Sequence, residues 1–171
     1  MNSIKAITLF ATVLLSTGTH AKDYIVEAII FENLSDSKIT EPHAYKAPLK
    51  PRTGAQAWVI DKELLIEEAQ KLNDSEAYLI HHHLAWGQES LPFEQSATYT
   101  VIEQNTKGYI KVYADQLLFA NIDLDFNGFR LVEKRRLKLN EKHYFDHPKF
   151  GLLLQVSRLE AEKSPNDPVQ P

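Results

Sequence analysis

The chain encodes an α+β domain, a single mostly antiparallel sheet covered by one main helix, and three signs point there. Several apolar runs alternate with period two; one stretch, 61-DKELLIEEAQKLND-74, repeats its apolar positions at helical spacing; and the strands after it are joined by short turn signals.

Residues 1–21, MNSIKAITLFATVLLSTGTHA, stand apart from that domain. Lys5 precedes an apolar run over 6–15, and Thr19-His20-Ala21 places small residues ahead of Lys22-Asp23. These are the parts of a secretory signal peptide with cleavage after Ala21. The run is shorter than the about 20 residues a spanning helix needs, and no second one follows, so no transmembrane segment is expected in the mature chain. The domain expectation is residues 22–160, with the polar, proline-bearing stretch 161–171 as a disordered tail.

Within the domain, 23-DYIVEAIIFEN-33 is β-branched or aromatic almost throughout and reads as a central strand covered on both faces. Pro42, Pro48 and Pro51 make 34–54 a long irregular loop. In the helical stretch Asp61 is placed to cap the N-terminus, acids fill the early turns, and Leu64, Leu65, Ile66, Ala69 and Leu72 form the apolar face. In 77-AYLIHHHLAW-86, period two puts Tyr78, Ile80, His82, Leu84 and Trp86 on the buried side. The stretch 98–104 reads either as a strand or as a partly ordered connection, followed by a turn over 105–108 and strands over 109–115 and 117–126. In the latter, Leu118, Ala120, Ile122, Leu124 and Phe126 alternate with a wetter face. Asn127-Gly128 is a hairpin turn into 129-FRLVEKRRLKL-139. The segment 142-KHYFDHP-148 then leads to the last strand, 150-FGLLLQVSRLE-160.

Composition removes several functions. The chain has no cysteine, which excludes disulfides, thiol chemistry and a lipid-modified N-terminal cysteine. Formal charge is −4, and loss of residues 1–21 removes Lys5 and no acid. An acidic domain without a long basic run is a poor partner for nucleic acid. The six glycines form no phosphate-cradling loop, and no serine sits in a G-x-S-x-G elbow.

The residues that could carry chemistry fall into three groups. His81 and His83 share one side of a strand and could supply two legs of a zinc site, with His143 or His147 and Asp146 completing a hydrolytic centre; a half-exposed strand that happens to carry histidines is the plainer reading. Asp123 and Asp125, at i and i+2, have the spacing of a glycosidase pair, which a charged outer face also produces. Arg130, Lys134, Arg136 and Lys138 share one side of their strand, a solvated face by default and a site for an acidic sugar-peptide polymer as the sharper alternative; Arg135 falls among apolar neighbours, either in an internal ion pair with Glu133, Glu141 or Asp146 or as an anion-binding group.

Three pieces of sequence resemble one known family. They are 24-YIVEAIIF-31, the run His83-x-x-Trp86-x-Gln88, and 135-RRLKLNEKHYFDHPKFGLLLQV-156 with Arg135, Arg136, Glu141, His143, Tyr144, Asp146, His147, Pro148 and Gly151. Together they resemble the CsiV family of exported peptidoglycan-binding proteins of Gram-negative bacteria, over about 24–156. The resemblance implies a periplasmic protein that is not an enzyme and needs no cofactor or metal. It would associate with peptidoglycan and support a penicillin-binding synthase through an outer-membrane lipoprotein activator. It carries over no catalytic residue. Trp86, Tyr109, Tyr113 and Tyr144 are the rings that could stack on sugars, with Arg136 for stem-peptide carboxylates and His147 beside them. Core placement is the better expectation for Trp86. His83, Gln88, Arg135, Glu141, Asp146, Pro148 and Gly151 are expected to define structure. A zinc hydrolase and an adaptor that binds only an envelope protein through a sheet edge remain as alternatives.

Overall fold

A computed structural model of the chain describes residues 23–35, 54–61, 64–103 and 105–159. The expected signal peptide and tail lie outside these residues, as does most of the expected loop over 34–54.

The described elements are β1 (Tyr24–Asn33), β2 (Trp58–Val59), α1 (Ile66–Asn73), β3 (Tyr78–Gln88), β4 (Tyr99–Ile102), β5 (Thr106–Ala114), β6 (Leu118–Phe126), β7 (Phe129–Arg136), β8 (Lys142–His147) and β9 (Phe150–Arg158). They build two antiparallel sheets, ordered β2-β3-β1-β9-β8 and β4-β5-β6-β7. Strand takes up 59% of the described residues and helix 7%. The expectation of a single sheet covered by one main helix is thereby corrected to a β-sandwich with one short helix on an outer face.

The reason lies in how much apolar surface each sheet presents. Val26, Ala28 and Ile30 of β1 and Leu152, Leu154 and Val156 of β9 point inward; Ile110 and Val112 of β5 and the alternating set of β6 face them in one core. An eight-residue helix cannot cover two such faces, so each sheet covers the other. β1 is buried on both sides, as its mostly apolar run requires: its outward Ile29 and Phe31 lie under Leu65, Ala69 and Leu72.

Helix α1 starts later than its sequence pattern indicates. Leu65 is the N-cap residue and makes no side-chain cap hydrogen bond. The cap comes from another strand: the fully buried carboxylate of Glu27 on β1 accepts the Leu65 backbone N–H at 2.9 Å and also that of Leu64. Two backbone donors at a helix start stabilise a carboxylate, and the carboxylate satisfies donors the helix leaves open. Because Glu27 already occupies these donors, Asp61 is not the cap.

The β3 alternation is also interrupted. Its register with β1 shifts between Ile30 and Phe31, so that Ile30 faces His82 while Phe31 faces Ile80 and His81 is the inserted residue. His82, Leu84 and Trp86 therefore stay on the inner side, whereas Ile80 and Tyr78 turn to the outer side with Phe31. The single buried face expected from period two is split in two by this bulge. By contrast, Asn127 and Gly128 take φ of 51° and 89°, the hairpin turn their identities call for, and Gly128 N–H donates to Asp125 Oδ1 at 2.9 Å.

Candidate functional site

The HYFDHP segment is an edge strand rather than a connection. β8 pairs with β9 from Lys142↔Gln155 to His147↔Phe150, and only Pro148 and Lys149 turn the chain. Alternation then sorts its side chains: Phe145 is fully buried in the core while Tyr144 is 45% exposed on the outer face. His143 faces inward with Phe145 and meets the backbone of Lys138, its Nε2 lying 3.1 Å from the N–H and 3.2 Å from the carbonyl. Only one of those contacts is a hydrogen bond in a given tautomer. His147 packs its ring against Phe129 and Phe150, and its Nδ1 accepts the Lys149 N–H at 3.1 Å. Glu141 pairs with Lys138 at 3.0 Å.

Arg135 answers the question of its apolar surroundings. It sits on the inner side of β7, at the side of the sandwich where β7 and β8 are the free edges of the two sheets. Its Nε donates to Glu133 Oε1 at 2.8 Å, its Nη1 to the Tyr144 carbonyl at 2.7 Å, and its guanidinium lies 4.6 Å from the Phe145 ring centre. One side chain thus neutralises its charge, satisfies an edge-strand carbonyl and covers an aromatic ring. Arg135 fastens the two sheets together.

On the outer face, Tyr144 belongs to a group of three rings. It lies nearly parallel to Phe31, with centroids 5.9 Å apart and planes 12° apart, while Tyr78 meets Phe31 edge-on at 5.4 Å and 85°. Gly151 on β9 makes this seating possible. A Cβ there would come within 2.6 Å of Phe31 Cζ and 2.7 Å of Tyr144 Cε2. The Tyr144 hydroxyl donates to Asp146 Oδ1 at 2.7 Å. Burial first, then this hydrogen bond and the Asp146 charge, push the Tyr144 hydroxyl well above the ordinary tyrosine range, and Tyr78 adds to the shift. Lys142, the cation on the same side of β8, is bound to Glu68 of α1, whose carboxyl it holds below the usual range.

The other residues singled out from sequence do not join this group. Trp86 is 1% exposed between the sheets, stacked on Tyr99, and its Nε1–H donates to Gln88 Oε1 at 2.9 Å. Gln88 Nε2 in turn donates to the Val112 carbonyl at 2.8 Å, so Trp86 and Gln88 tie one sheet to the other. Tyr109 and Tyr113 are buried on the far side of the second sheet. There Phe93 packs on Tyr113, and Lys111, also buried, donates to the Ser96 carbonyl at 2.8 Å. Arg136 is exposed on that same outer face, across the thickness of the sandwich from Tyr144. Trp86, Tyr109 and Tyr113 therefore present no open ring face, and Tyr144, His147 and Arg136 point in three different directions.

The metal ligands weighed above are not brought together. His81 and His83 lie on β3 and His143 and His147 on β8, with β1 and β9 between them, which is roughly 14 Å at ordinary strand spacing. His83 Nε2 is 2.6 Å from Glu27 Oε1, beside a cleft of about 500 Å³ that Asp61 and Tyr99 also line. His81 Nε2 is 3.0 Å from Glu32 Oε2, and His82 Nε2 is 3.0 Å from Thr106 Oγ1. Burial holds His82 below the usual imidazole range, with the His81 charge adding and that of Glu103 opposing. Among the described residues no three His, Asp or Glu side chains are grouped to hold a metal ion. Asp123 is taken up by Arg130 in a two-pronged pair, at 2.8 and 2.7 Å, while Asp125 accepts from Gly128.

Sequence reasoning missed Phe31 and Tyr78 as neighbours of Tyr144. Phe31 reads as core in an apolar run, and Tyr78 reads as buried until the bulge at His81 turns it outward. Gly151 carried the one legible signal, a glycine inside a strand, which often marks close approach by another group.

Among the described residues no helix is long and apolar enough to cross a membrane. No curated protein and no solved structure matches the chain. The runs around Tyr24 and Trp86 lie outside the stretch that a family model matches. That stretch, residues 113–159, runs from the end of β5 through β9, carries Arg135, Tyr144, Asp146 and Gly151, and matches the family described as "Peptidoglycan-binding protein, CsiV".

Proposed function

We propose that the protein is an exported, periplasmic peptidoglycan-binding protein without catalytic activity, which supports cell-wall synthesis through an outer-membrane lipoprotein activator of a penicillin-binding synthase. The family match over 113–159 carries the peptidoglycan-binding part. The signal-like residues 1–21 support export. The residues that suggested chemistry support the binding reading by what they do: Asp123 and Arg135 hold strands together, His83 backs the carboxylate that caps α1, and His143 fastens the approach to β8.

Co-sedimentation tests the reading. The purified protein is expected to pellet with isolated sacculi at physiological salt, and protein left in the supernatant at that salt overturns it. The link to a synthase has its own check. The purified lipoprotein activator should retain the protein on a column, and passage without retention removes that link while leaving polymer binding intact.

A further inference from the structure

We propose that Tyr144 and Tyr78, set on either side of Phe31 on the outer face of the first sheet, form a stacking site for an N-acetylated amino-sugar ring of a glycan strand. The identity of the sugar rests on the peptidoglycan-binding reading, and the geometry rests on the rings themselves.

Exposure is the first argument. Phe31 is 5% exposed, whereas Tyr144 is 45% and Tyr78 36% exposed, so the buried ring serves as a base and the two tyrosines offer open surface. A ring whose only task was to shield Phe31 could lie over it and would not leave so much of its own area in water. Tyr144 runs nearly parallel to the base and Tyr78 stands at right angles to it, which gives a flat floor with a wall. The C–H face of a β-linked pyranose fits such a floor, because it is apolar, flat and of ring size, while its hydroxyls point to the rim.

Gly151 is the second argument. It is absent from the residues with positive φ, so its backbone does not require glycine; the two aromatic atoms that a Cβ would strike do. The strand gives up a side chain to let the rings lie flat, and the ring seat is what it gains. Third, β8 brings an acceptor to the rim. Asp146 fixes the Tyr144 hydroxyl through one oxygen and is exposed, so its carboxylate can accept from further donors. The cation on the same side of β8, Lys142, is held by Glu68. A carboxylate at the rim favours the hydroxyl and amide N–H groups of the glycan over the carboxylates of a stem peptide.

The test is a nuclear magnetic resonance titration of the isotope-labelled protein with a soluble oligomer of β-linked N-acetylglucosamine, which carries no peptide. The ring signals of Tyr78 and Tyr144 are expected to shift together. Tyr144→Ala should weaken binding about tenfold, a loss on the scale of one aromatic contact, while Tyr144→Phe stays within about threefold. Unshifted ring signals in the wild type overturn the proposal. So does a folded Tyr144→Ala variant that binds as tightly as the wild type. If Tyr144→Ala fails to fold, the wild-type ring shifts and the Tyr78→Ala variant decide. Sacculus binding that survives Tyr144→Ala unchanged sinks this site and leaves the peptidoglycan reading standing. Ring shifts without sacculus binding do the reverse.

Discussion

Tyr144 shows how a single residue can be legible in kind and obscure in role. Its alternation with Phe145 follows from strand geometry, and the outward ring and inward ring are both found. What sequence does not carry is the hydroxyl's partner, because Asp146 is two residues away on the same face only once β8 is known to be a strand. The raised proton affinity of that hydroxyl has a consequence for stability. An unfolded tyrosine releases its proton near pH 10, whereas folded Tyr144 retains it to higher pH. The stabilisation from this proton is therefore complete below about pH 10 and is lost as pH rises towards the folded value. Urea midpoints followed from pH 9 upward should fall more steeply for the wild type than for Tyr144→Phe, and parallel slopes would contradict the assignment. Arg135 was legible in the same partial way: a charge among apolar positions demanded a partner, and Glu133 is one of the three that alternation and reach allowed. Its second contact, to the Tyr144 carbonyl, joins two sheets that the sequence pattern had merged into one.

Among the elements, α1 depends most on something outside itself. Eight residues with no side-chain cap of their own make a marginal helix in water. Its stability comes from Leu65, Ala69 and Leu72 on the first sheet and from the Glu27 carboxylate beneath its start. Replacing Glu27 with glutamine keeps the volume but removes the charge that the helix start and His83 share. The expected cost is about 1.5–3 kcal/mol, the usual worth of hydrogen bonds to a charged group. Denaturant unfolding measures that cost, and faster amide hydrogen exchange across 66–73 should accompany it; unchanged exchange there would show that the apolar contacts suffice. The helix was readable from its apolar spacing and acidic first turn. Its cap was not, since Asp61 is the better residue by local rules and Glu27 lies a long way off in sequence. The β3 bulge was hidden for a similar reason: period two continues past His81 on paper, and only pairing with β1 forces the extra residue in.

For the molecule as a whole, the error in fold class has one source. Local patterns fixed most strand positions, but period two is the same whether a strand's apolar side meets a helix or another sheet. The deciding quantity is how much apolar surface remains after α1 is placed, and that emerges only in three dimensions. The same non-local character governs the matched stretch. Residues 113–159 contribute the β6–β7 hairpin to one sheet and the β8–β9 hairpin to the other, while β1 lies beside β9 and supplies Val26, Ala28 and Ile30 to the core between them. Expressed alone, this stretch is expected to give a poorly dispersed amide spectrum and no cooperative unfolding; a sharp transition would show that two hairpins suffice. The pairing of the first strand with the last also decides how the molecule can be oriented. Tyr24 lies opposite Arg158, and the Leu159 N–H bonds to the Asp23 carbonyl, whereas Phe31 lies opposite Gly151 at the other end of the same ladder, about 23 Å away along an extended strand. Both ends of the described chain thus leave from one pole, and the aromatic rings occupy the other. A handle fused before Asp23 or after Leu159 would hold the molecule at the end away from Phe31 and leave the outer face around Tyr144 clear of the attachment point.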